Sequence, residues 1–217
     1  MIEKKNLFQY DQDIREKNHL TLIAGFDEAG RGPLAGPVST ACVVLPPDYQ
    51  NALINDSKKL TDRERRKLFK EIKEVALAYH VELVPVEVID TINILEADRL
   101  GMETCLRKVM EKLTPEFLIT DYMNLHTDLP LLSIPKGDAT SLSVAAASIL
   151  AKVTRDDYMI NLAKQYPLYH FEKNKGYGTK DHLKALEEYG FIPQVHRISF
   201  EPVKSMYLGE EQLRLFD

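Results

Sequence analysis

The chain has 217 residues, 44% of them apolar and 28% charged, a composition typical of a globular enzyme with one domain, or one domain and a small appendage. Its formal net charge of −5 argues weakly against a nucleic-acid partner, although cations bound by some of the acids would cancel part of that charge. The sequence has neither a bilayer-spanning apolar run nor a signal-peptide pattern, so we expect a cytoplasmic protein with no membrane partner. Cys42 and Cys105 lie among apolar residues and are expected to be free, buried thiols.

The predicted elements, taken in chain order, alternate between strands and helices. After a polar arm (1–20), we expect strands over 21–28 and 38–45, a helix capped by Thr61 and Glu64, a strand over 80–84, a helix over 94–113, strands over 117–119 and 131–134, and helices over 141–166, 180–189 and 209–216. This order predicts an α/β fold, a mixed sheet of about five strands flanked by helices on both faces. We expect a catalytic domain over 21–203 and a tail over 204–217. We also expect a monomer, because nothing suggests a large exposed apolar face.

Four carboxylates stand at or just after the ends of predicted strands: Asp27, Glu28, Asp121 and Asp138. Acids at the strand ends of one sheet can converge, but they would repel one another unless cations lie between them. Carboxylate oxygens suit Mg²⁺ or Mn²⁺, and two such ions about 3.5–4 Å apart can stabilise the attacking and leaving oxygens of a phosphodiester. The pattern predicts metal-assisted phosphoryl hydrolysis, although on spacing alone a solvated acidic surface is an equally good interpretation.

The position of Glu28 poses a geometric difficulty. Neighbouring residues of a regular strand point to opposite faces, so Glu28 can join Asp27 only if the strand bulges or ends there, which Ala29-Gly30 would allow. Two further acids could compete for a role in the site. Asp128 lies in a predicted loop away from any apolar strand end, and we interpret Asp156 as a structural partner of a nearby basic residue.

A longer motif surrounds the first two acids. Residues 27–38 (DEAGRGPLAGPV) resemble the signature of the ribonuclease HII family. Further matches follow in order along the chain: 55–60 (NDSKKL), 136–138 (KGD), 145–152 (AAASILAK) with 155–156 (RD), 175–180 (KGYGTK) and 196–202 (HRISFEP). The similarity covers residues 22 to about 203. One departure is Tyr122, since the family usually has glycine directly after its third acid.

The resemblance implies a ribonuclease H-like fold with a helical C-terminal part. It implies Mg²⁺- or Mn²⁺-dependent endonucleolytic cleavage of the RNA strand in RNA–DNA hybrids. It also implies cleavage on the 5′ side of single ribonucleotides embedded in duplex DNA, which would leave 5′-phosphate and 3′-hydroxyl ends. Such an activity would remove ribonucleotides during DNA replication and repair.

The resemblance also assigns roles by position. The family's catalytic metal ligands correspond to Asp27, Glu28, Asp121 and Asp138. Its ribose-reading turn corresponds to Gly30, Arg31 and Gly32, and its aromatic residue beside the RNA–DNA junction corresponds to Tyr177. Substrate contacts are further expected at Asn55, Ser57, Lys58 and Lys175, with Lys59, Lys173 and Lys180 as additional candidate phosphate contacts. Glycines let the main chain approach the sugar, whose 2′-hydroxyl separates RNA from DNA. For each lysine, a solvated surface charge is an equally good interpretation.

The C-terminus carries a separate pattern. The residues Gln212, Leu213, Leu215 and Phe216, within QLRLF, resemble the short peptide by which bacterial replication proteins bind the sliding clamp. The alternative is a tail that packs on its own domain.

Two other classes of function stay open at this point. One is another ribonuclease H-like nuclease, such as a resolvase or the sister type of ribonuclease H. The other is a non-catalytic binding module in which the acids only stabilise the structure. The turn at 30–32 together with Tyr177 favours ribonuclease HII over a resolvase, because a resolvase has no need to read a 2′-hydroxyl.

Overall fold

The computed structural model describes residues 6–214. The chain forms two compact units. Unit 1 takes the residues up to Ala29, Ser39–Glu82 and Asp98–Thr154, and unit 2 takes Gly30–Val38, Leu83–Ala97 and the residues from Arg155 onward. None of the helices within residues 6–214 is long and apolar enough to cross a membrane.

A five-stranded mixed sheet, which belongs to unit 1 apart from a few end residues, confirms the predicted fold class. The strands are β1 (Ile23–Ala29), β2 (Val38–Val44), β3 (Ala78–Val84), β4 (Phe117–Asp121) and β5 (Leu131–Ile134). They lie in the order β3-β2-β1-β4-β5. β1 pairs with β2 in antiparallel orientation, whereas β4 pairs in parallel with both β1 and β5. Each predicted strand is present, and the predicted hairpin of β1 and β2 is confirmed.

The helices follow the prediction with three differences. They are α1 (Leu7–Asn18), α2 (Asp62–Val75), α3 (Val86–Ile92), α4 (Ile94–Met110), α5 (Leu142–Gln165), α6 (Phe171–Asn174), α7 (Lys180–Tyr189) and α8 (Val203–Arg214). The predicted capping box of Thr61 and Glu64 starts α2. The short helices α3 and α6 were not predicted, and the expected start of the last helix near residue 209 is wrong because α8 already begins at Val203.

Helices cover both faces of the sheet in unit 1. On one face, α2 and α5 pack through residues that include Ala41, Val43, Leu68, Ile72, Ala146 and Leu150. On the other face, α4 packs through residues that include Ala24, Phe26, Cys42, Met102, Cys105 and Val109. Cys42 and Cys105 are free and buried, as expected. This packing alternates along β1 and β2 as strand geometry requires.

The close approach of α5 to β1 depends on small residues. A Cβ atom added at Gly25 of β1 would lie 2.2 Å from the main-chain carbonyl carbon of Ser143 in α5, so only glycine fits there. The N-terminal arm fixes the same end of α5, because the buried Asp11 of α1 accepts hydrogen bonds from the N–H and the hydroxyl of Ser143 at 2.9 and 2.7 Å. The strand β1 and the helix α5 therefore form one tightly packed pair.

Unit 2 has a separate apolar core. Its buried residues include Leu34, Met159, Tyr169, Phe171, Leu186 and Val203. Leu34 brings the segment between β1 and β2 into this core, since its N–H donates to the carbonyl of Gly176 at 2.8 Å.

Candidate active site

Asp27 and Asp121 lie side by side on neighbouring strands. β1 and β4 pair in parallel with Phe26 opposite Thr120, so one residue further along this register Asp27 comes beside Asp121. Alternation along β1 sends Asp27 to the same face as Gly25, which is the face covered by α5. Two carboxylates at the strand ends of one sheet are thus brought together, as the sequence predicts.

Asp138 joins this pair from the turn after β5. Lys136 adopts a left-handed conformation with φ +57°, and the N–H of Gly137 then donates to Oδ1 of Asp121 at 3.1 Å. A Cβ atom at Gly137 would lie only 3.3 Å from the Cα of Asp121, which favours glycine at this position. Among the described residues, Asp27, Asp121 and Asp138 place carboxylate oxygens within 4.8 Å of one another. We call these three residues the acid group.

Burial and mutual repulsion dominate the electrostatics of Asp27. Burial raises the pKa of its carboxyl well above the usual value, and the charges of Glu28 and Asp121 raise the pKa further. The N–H of Glu28 donates to Oδ1 of Asp27 at 2.8 Å, and the hydroxyl of Ser148 in α5 also bonds to this carboxyl; both contacts lower its pKa in part. The protein therefore holds an acid where its charged form is disfavoured unless a cation is near.

Asp138 lies in a comparable environment. Burial raises the pKa of its carboxyl, and repulsion from Asp56 and Asp121 adds to the effect. Its Oδ2 atom is buried and accepts no hydrogen bond from the described residues. The ammonium of Lys58 lies 3.7 Å from that oxygen, on a side chain that is 80% exposed, and its charge lowers the pKa of Asp138 in part. An exposed lysine compensates a buried carboxylate only weakly, so this oxygen fits a further cationic ligand.

Glu28 stands outside the acid group. The expectation that β1 bulges or ends at Glu28 is wrong, because β1 continues to Ala29 with Glu28 opposite Thr40 in an unbroken register. Regular alternation then directs Glu28 to the other face of the sheet from Asp27. Its charge still raises the pKa of Asp27, so the two carboxyls remain electrostatically coupled.

The segment 55–58 meets the acid group in two different ways. Lys58 reaches Asp138 directly, as described above. Ser57 is buried, and its hydroxyl lies 2.7 Å from that of Ser148, the residue that bonds to Asp27. Asn55 accepts a hydrogen bond from the N–H of Asp56 at 2.8 Å, so its carbonyl oxygen helps to shape the turn that presents Ser57 and Lys58.

The predicted ribose-reading turn belongs to unit 2. Its residue Gly30 has φ +98°, a conformation that favours glycine. Arg31 is half-buried and Gly32 is exposed. A Cβ atom at Gly32 would lie 3.9 Å from Cε1 of Tyr177, a residue that is 44% exposed. Unit 2 therefore brings the turn and the predicted aromatic residue into contact range. The main-chain carbonyl of Lys175 points to the buried Arg155, and its ammonium contacts the carbonyl of Glu172.

Four residues of these sites were not predicted to act there. Ser148 and Asp56 neighbour the acid group, while Arg155 and Arg197 are fully buried beside the turn in unit 2. All four lie within the segments that carry the resemblance, at AAASILAK with RD, NDSKKL and HRISFEP. That membership was the available signal, but the motifs alone do not tell a ligand from a supporting residue.

Comparison with known proteins decides the family. Residues 24–203 match the family model described as Ribonuclease HII. The chain belongs to this family. The ribonuclease HII of Halalkalibacterium halodurans is 49% identical to it over 203 residues, which is 94% of this chain and 76% of the relative.

Solved structures agree with this family and with the ribonuclease H-like fold. The crystal structure of a ribonuclease H2 from Pyrococcus horikoshii aligns with a TM-score of 0.74 at 27% identity, covering 89% of this chain and 99% of the other. A structure of the PCNA:RNase HII complex from Archaeoglobus fulgidus aligns with a TM-score of 0.68 at 26% identity, covering 83% and 95%. This ribonuclease HII is a ribonuclease H, an enzyme that cleaves the RNA of RNA–DNA hybrids and whose family depends on metal ions. The acid group could hold such an ion.

The structure also accounts for the departure from the ribonuclease HII pattern at Tyr122. This residue has φ +53° and is 75% exposed, so it adopts the left-handed conformation that glycine takes without steric cost. A tyrosine in this conformation costs on the order of 1–2 kcal/mol. The backbone is nevertheless the one expected after the third acid, and Asp121 keeps its place in the acid group.

Proposed function

We propose that this enzyme cleaves on the 5′ side of single ribonucleotides embedded in duplex DNA, as well as within longer RNA–DNA hybrids, and leaves 5′-phosphate and 3′-hydroxyl ends. The observation that carries the proposal is the buried acid group of Asp27, Asp121 and Asp138, whose ligand oxygens lie within 4.8 Å of one another. An all-oxygen donor set of this kind suits Mg²⁺ or Mn²⁺ better than zinc. Ribonucleotide removal in DNA replication and repair is the role that such an activity would serve.

The acid group would hold the ions, with Glu28 as a further ligand. Two ions bound with substrate would supply charge stabilisation for the two oxygens that exchange at the phosphorus. The protein contributes the fixed geometry. The N–H of Gly137 holds Asp121, Ser148 holds Asp27, and the exposed ammonium of Lys58 beside Asp138 is placed to contact a substrate phosphate.

Selection of the ribonucleotide is assigned to unit 2. Gly30, Arg31 and Gly32 would let the main chain approach the sugar, and Tyr177 would offer a flat, half-exposed ring beside Gly32. Asn55, Ser57 and Lys175 would support binding mainly by shaping the main chain, since the observed contacts of all three are within the protein.

A duplex carrying one ribonucleotide tests the proposal, with an all-DNA duplex of the same sequence as its control. We expect metal-dependent cleavage 5′ of the ribonucleotide and none of the all-DNA duplex. Asp27→Asn should reduce the rate at least about a hundredfold, whereas Asp128→Asn, at an exposed acid outside the acid group, should keep it. Equal cutting of both duplexes would contradict the proposal.

We also propose that the C-terminal peptide binds a sliding clamp. The structure of the Archaeoglobus fulgidus relative is described as a complex with PCNA, which supports this proposal for the present chain. Gln212 and Leu213 lie at the end of α8, whereas Leu215 and Phe216 lie outside the described residues. Removal of residues 212–217 should abolish clamp binding in a pull-down assay and spare the cleavage of short duplexes. Loss of both activities together would favour a tail that packs on its own domain.

A further inference from the structure

Two fully buried guanidinium groups hold the turn of unit 2 by its main-chain carbonyls. Arg155 and Arg197 are both 0% exposed. Their donors lie 2.7–3.0 Å from carbonyl oxygens: Arg197 bonds to Gly30, Arg31 and Gly36, and Arg155 bonds to Ala35, Pro37 and Lys175. Five of these six carbonyls belong to the segment 30–37, which we call the turn.

This arrangement is costly for a turn that serves only to connect two strands. A buried cation loses its hydration and is tolerated only when dipoles or counter-charges replace the water. Burial lowers the pKa of Arg197 to about 9 and that of Arg155 to about 10, values that still leave both groups charged at neutral pH. Two cations are thus spent on the conformation of one short segment.

The carbonyl contacts fix the direction of the peptide N–H groups. A trans peptide is planar, so its C=O and its N–H point in opposite directions. Because the carbonyls of Gly30 and Arg31 point at Arg197, the N–H groups of Arg31 and Gly32 point away from it, at the part of the turn where Gly32 is exposed. A cation bonded to the carbonyl also polarises the peptide, which makes its N–H a stronger donor.

Gly30 and Arg155 fit each other sterically. A Cβ atom at Gly30 would lie 1.9 Å from Nε of Arg155, so the arginine side chain occupies the space that any other residue would need. The glycine at this position therefore allows the guanidinium to reach its carbonyl partners, in addition to giving the backbone its positive φ.

We infer that Arg197 and Arg155 are positioning residues for substrate recognition, which hold the carbonyls of the turn inward so that the N–H groups of Arg31 and Gly32 are presented to an oxygen of the sugar–phosphate backbone at the ribonucleotide. The inference rests on the proposed function of the turn and names the residues that determine its geometry. Neither arginine touches the substrate in this scheme.

Lysine substitutions separate positioning from plain structural support. Arg197→Lys keeps the charge but loses the planar group that bonds to three carbonyls. We expect KM for a duplex with one ribonucleotide to rise about tenfold, kcat to stay within about threefold, and Arg155→Lys to show a smaller effect of the same kind. The Mn²⁺-induced rise in unfolding midpoint should be unchanged, since the acid group belongs to unit 1.

Arg15→Lys is the matched control. Arg15 is a nearly buried arginine of unit 1 that donates to the carbonyl of Thr21, so its replacement should lower the unfolding midpoint without changing KM. The same pattern in a folded Arg197→Lys enzyme, a lower midpoint with KM within twofold of wild type, would overturn the inference. Equal cutting of all-DNA and ribonucleotide duplexes by the wild type would instead contradict the proposed function.

A measurement on the wild-type enzyme covers the case in which Arg197→Lys does not fold. In ¹⁵N–¹H spectra, the amides of Arg31 and Gly32 should shift on addition of the ribonucleotide duplex, and shift less with the all-DNA duplex. Signals of these two amides that do not respond to the ribonucleotide duplex would overturn the inference.

Discussion

At the scale of single residues, the pair His182 and His196 shows how hydrogen bonds set a protonation state. Ile192 donates its N–H to Nδ1 of His196, the two Nε2 atoms lie 3.0 Å apart, and Nδ1 of His182 lies 2.9 Å from the carbonyl of Tyr177. An acceptor at Nδ1 of His196 leaves its proton on Nε2, which then donates to His182. The proton of His182 must therefore be on Nδ1, where it donates to Tyr177. Both rings are neutral in this arrangement, and a further proton would place two donors face to face.

The pair predicts a loss of stability in acid. Burial, with the charge of His182 second, lowers the pKa of His196 to about 3, and burial also lowers that of His182. Folded values below the unfolded value of about 6.5 mean that the unfolded chain binds more protons as the pH falls. The contribution of the pair is therefore complete above pH about 6.5 and declines below it, by about 1 kcal/mol for each pH unit.

Urea unfolding at pH 7 and pH 5 tests this prediction. His196→Gln should be less stable than wild type at pH 7, and the difference should narrow at pH 5. His19→Asn, at the exposed end of α1, is the control and should keep a constant difference. A gap between wild type and His196→Gln that is the same at both pH values would contradict the argument.

At the scale of elements, the contact between β1 and α5 determines where the acid group can form. Gly25 lets the main chain of α5 come close enough for Ser148 to reach Asp27. Gly25→Ala should lower the free energy of unfolding by about 3 kcal/mol, because a Cβ 2.2 Å from a main-chain carbon of Ser143 forces two elements apart. Denaturant unfolding measures the change.

The control for this substitution is Gly209→Ala in α8. A Cβ atom at Gly209 would meet nothing within 4 Å, so alanine should stabilise the helix by up to about 1 kcal/mol. Equal effects of the two substitutions would show that the close contact at Gly25 does not limit stability.

The elements that could be predicted from sequence are those with an unambiguous local signal. The capping box at Thr61 and Glu64 marks the start of α2, and Thr179 with the apolar spacing that follows marks α7 over its full range. α3 escaped because Val86–Ile92 is rich in β-branched residues, which by propensity resemble a strand. Only tertiary packing makes that segment helical.

At the scale of the whole molecule, the net charge of −5 conceals a local concentration of acids that calls for cations. A ligand that binds only the folded state stabilises it by about 2.7 kcal/mol at a hundred times its Kd. We therefore expect Mn²⁺ to raise the thermal unfolding midpoint of the wild-type enzyme. The rise should be largely lost in Asp138→Asn and kept in Asp128→Asn. An equal rise in all three proteins would indicate binding elsewhere.

The site could be predicted only in part from sequence, for reasons that differ between residues. Asp27, Asp121 and Asp138 follow apolar strands, and strand ends of one sheet meet, so their convergence was predictable. The direction of Glu28 was not, because it depends on whether β1 stays regular through Ala29. The roles of Arg155 and Arg197 escaped as well, since a buried arginine and a solvated one look alike in a sequence.

The strand order gives the acid group ligands of unequal mobility. β1 and β4 each have a strand on both sides, whereas β5 is at the edge of the sheet, and edge strands open at lower free energy than central ones. Amide protons of β1 and β4 should therefore exchange with solvent only when unit 1 unfolds, while those of β5 exchange earlier. A local opening of β5 would displace Asp138 and leave Asp27 and Asp121 in place, so an ion can enter or leave by disturbing a single carboxylate.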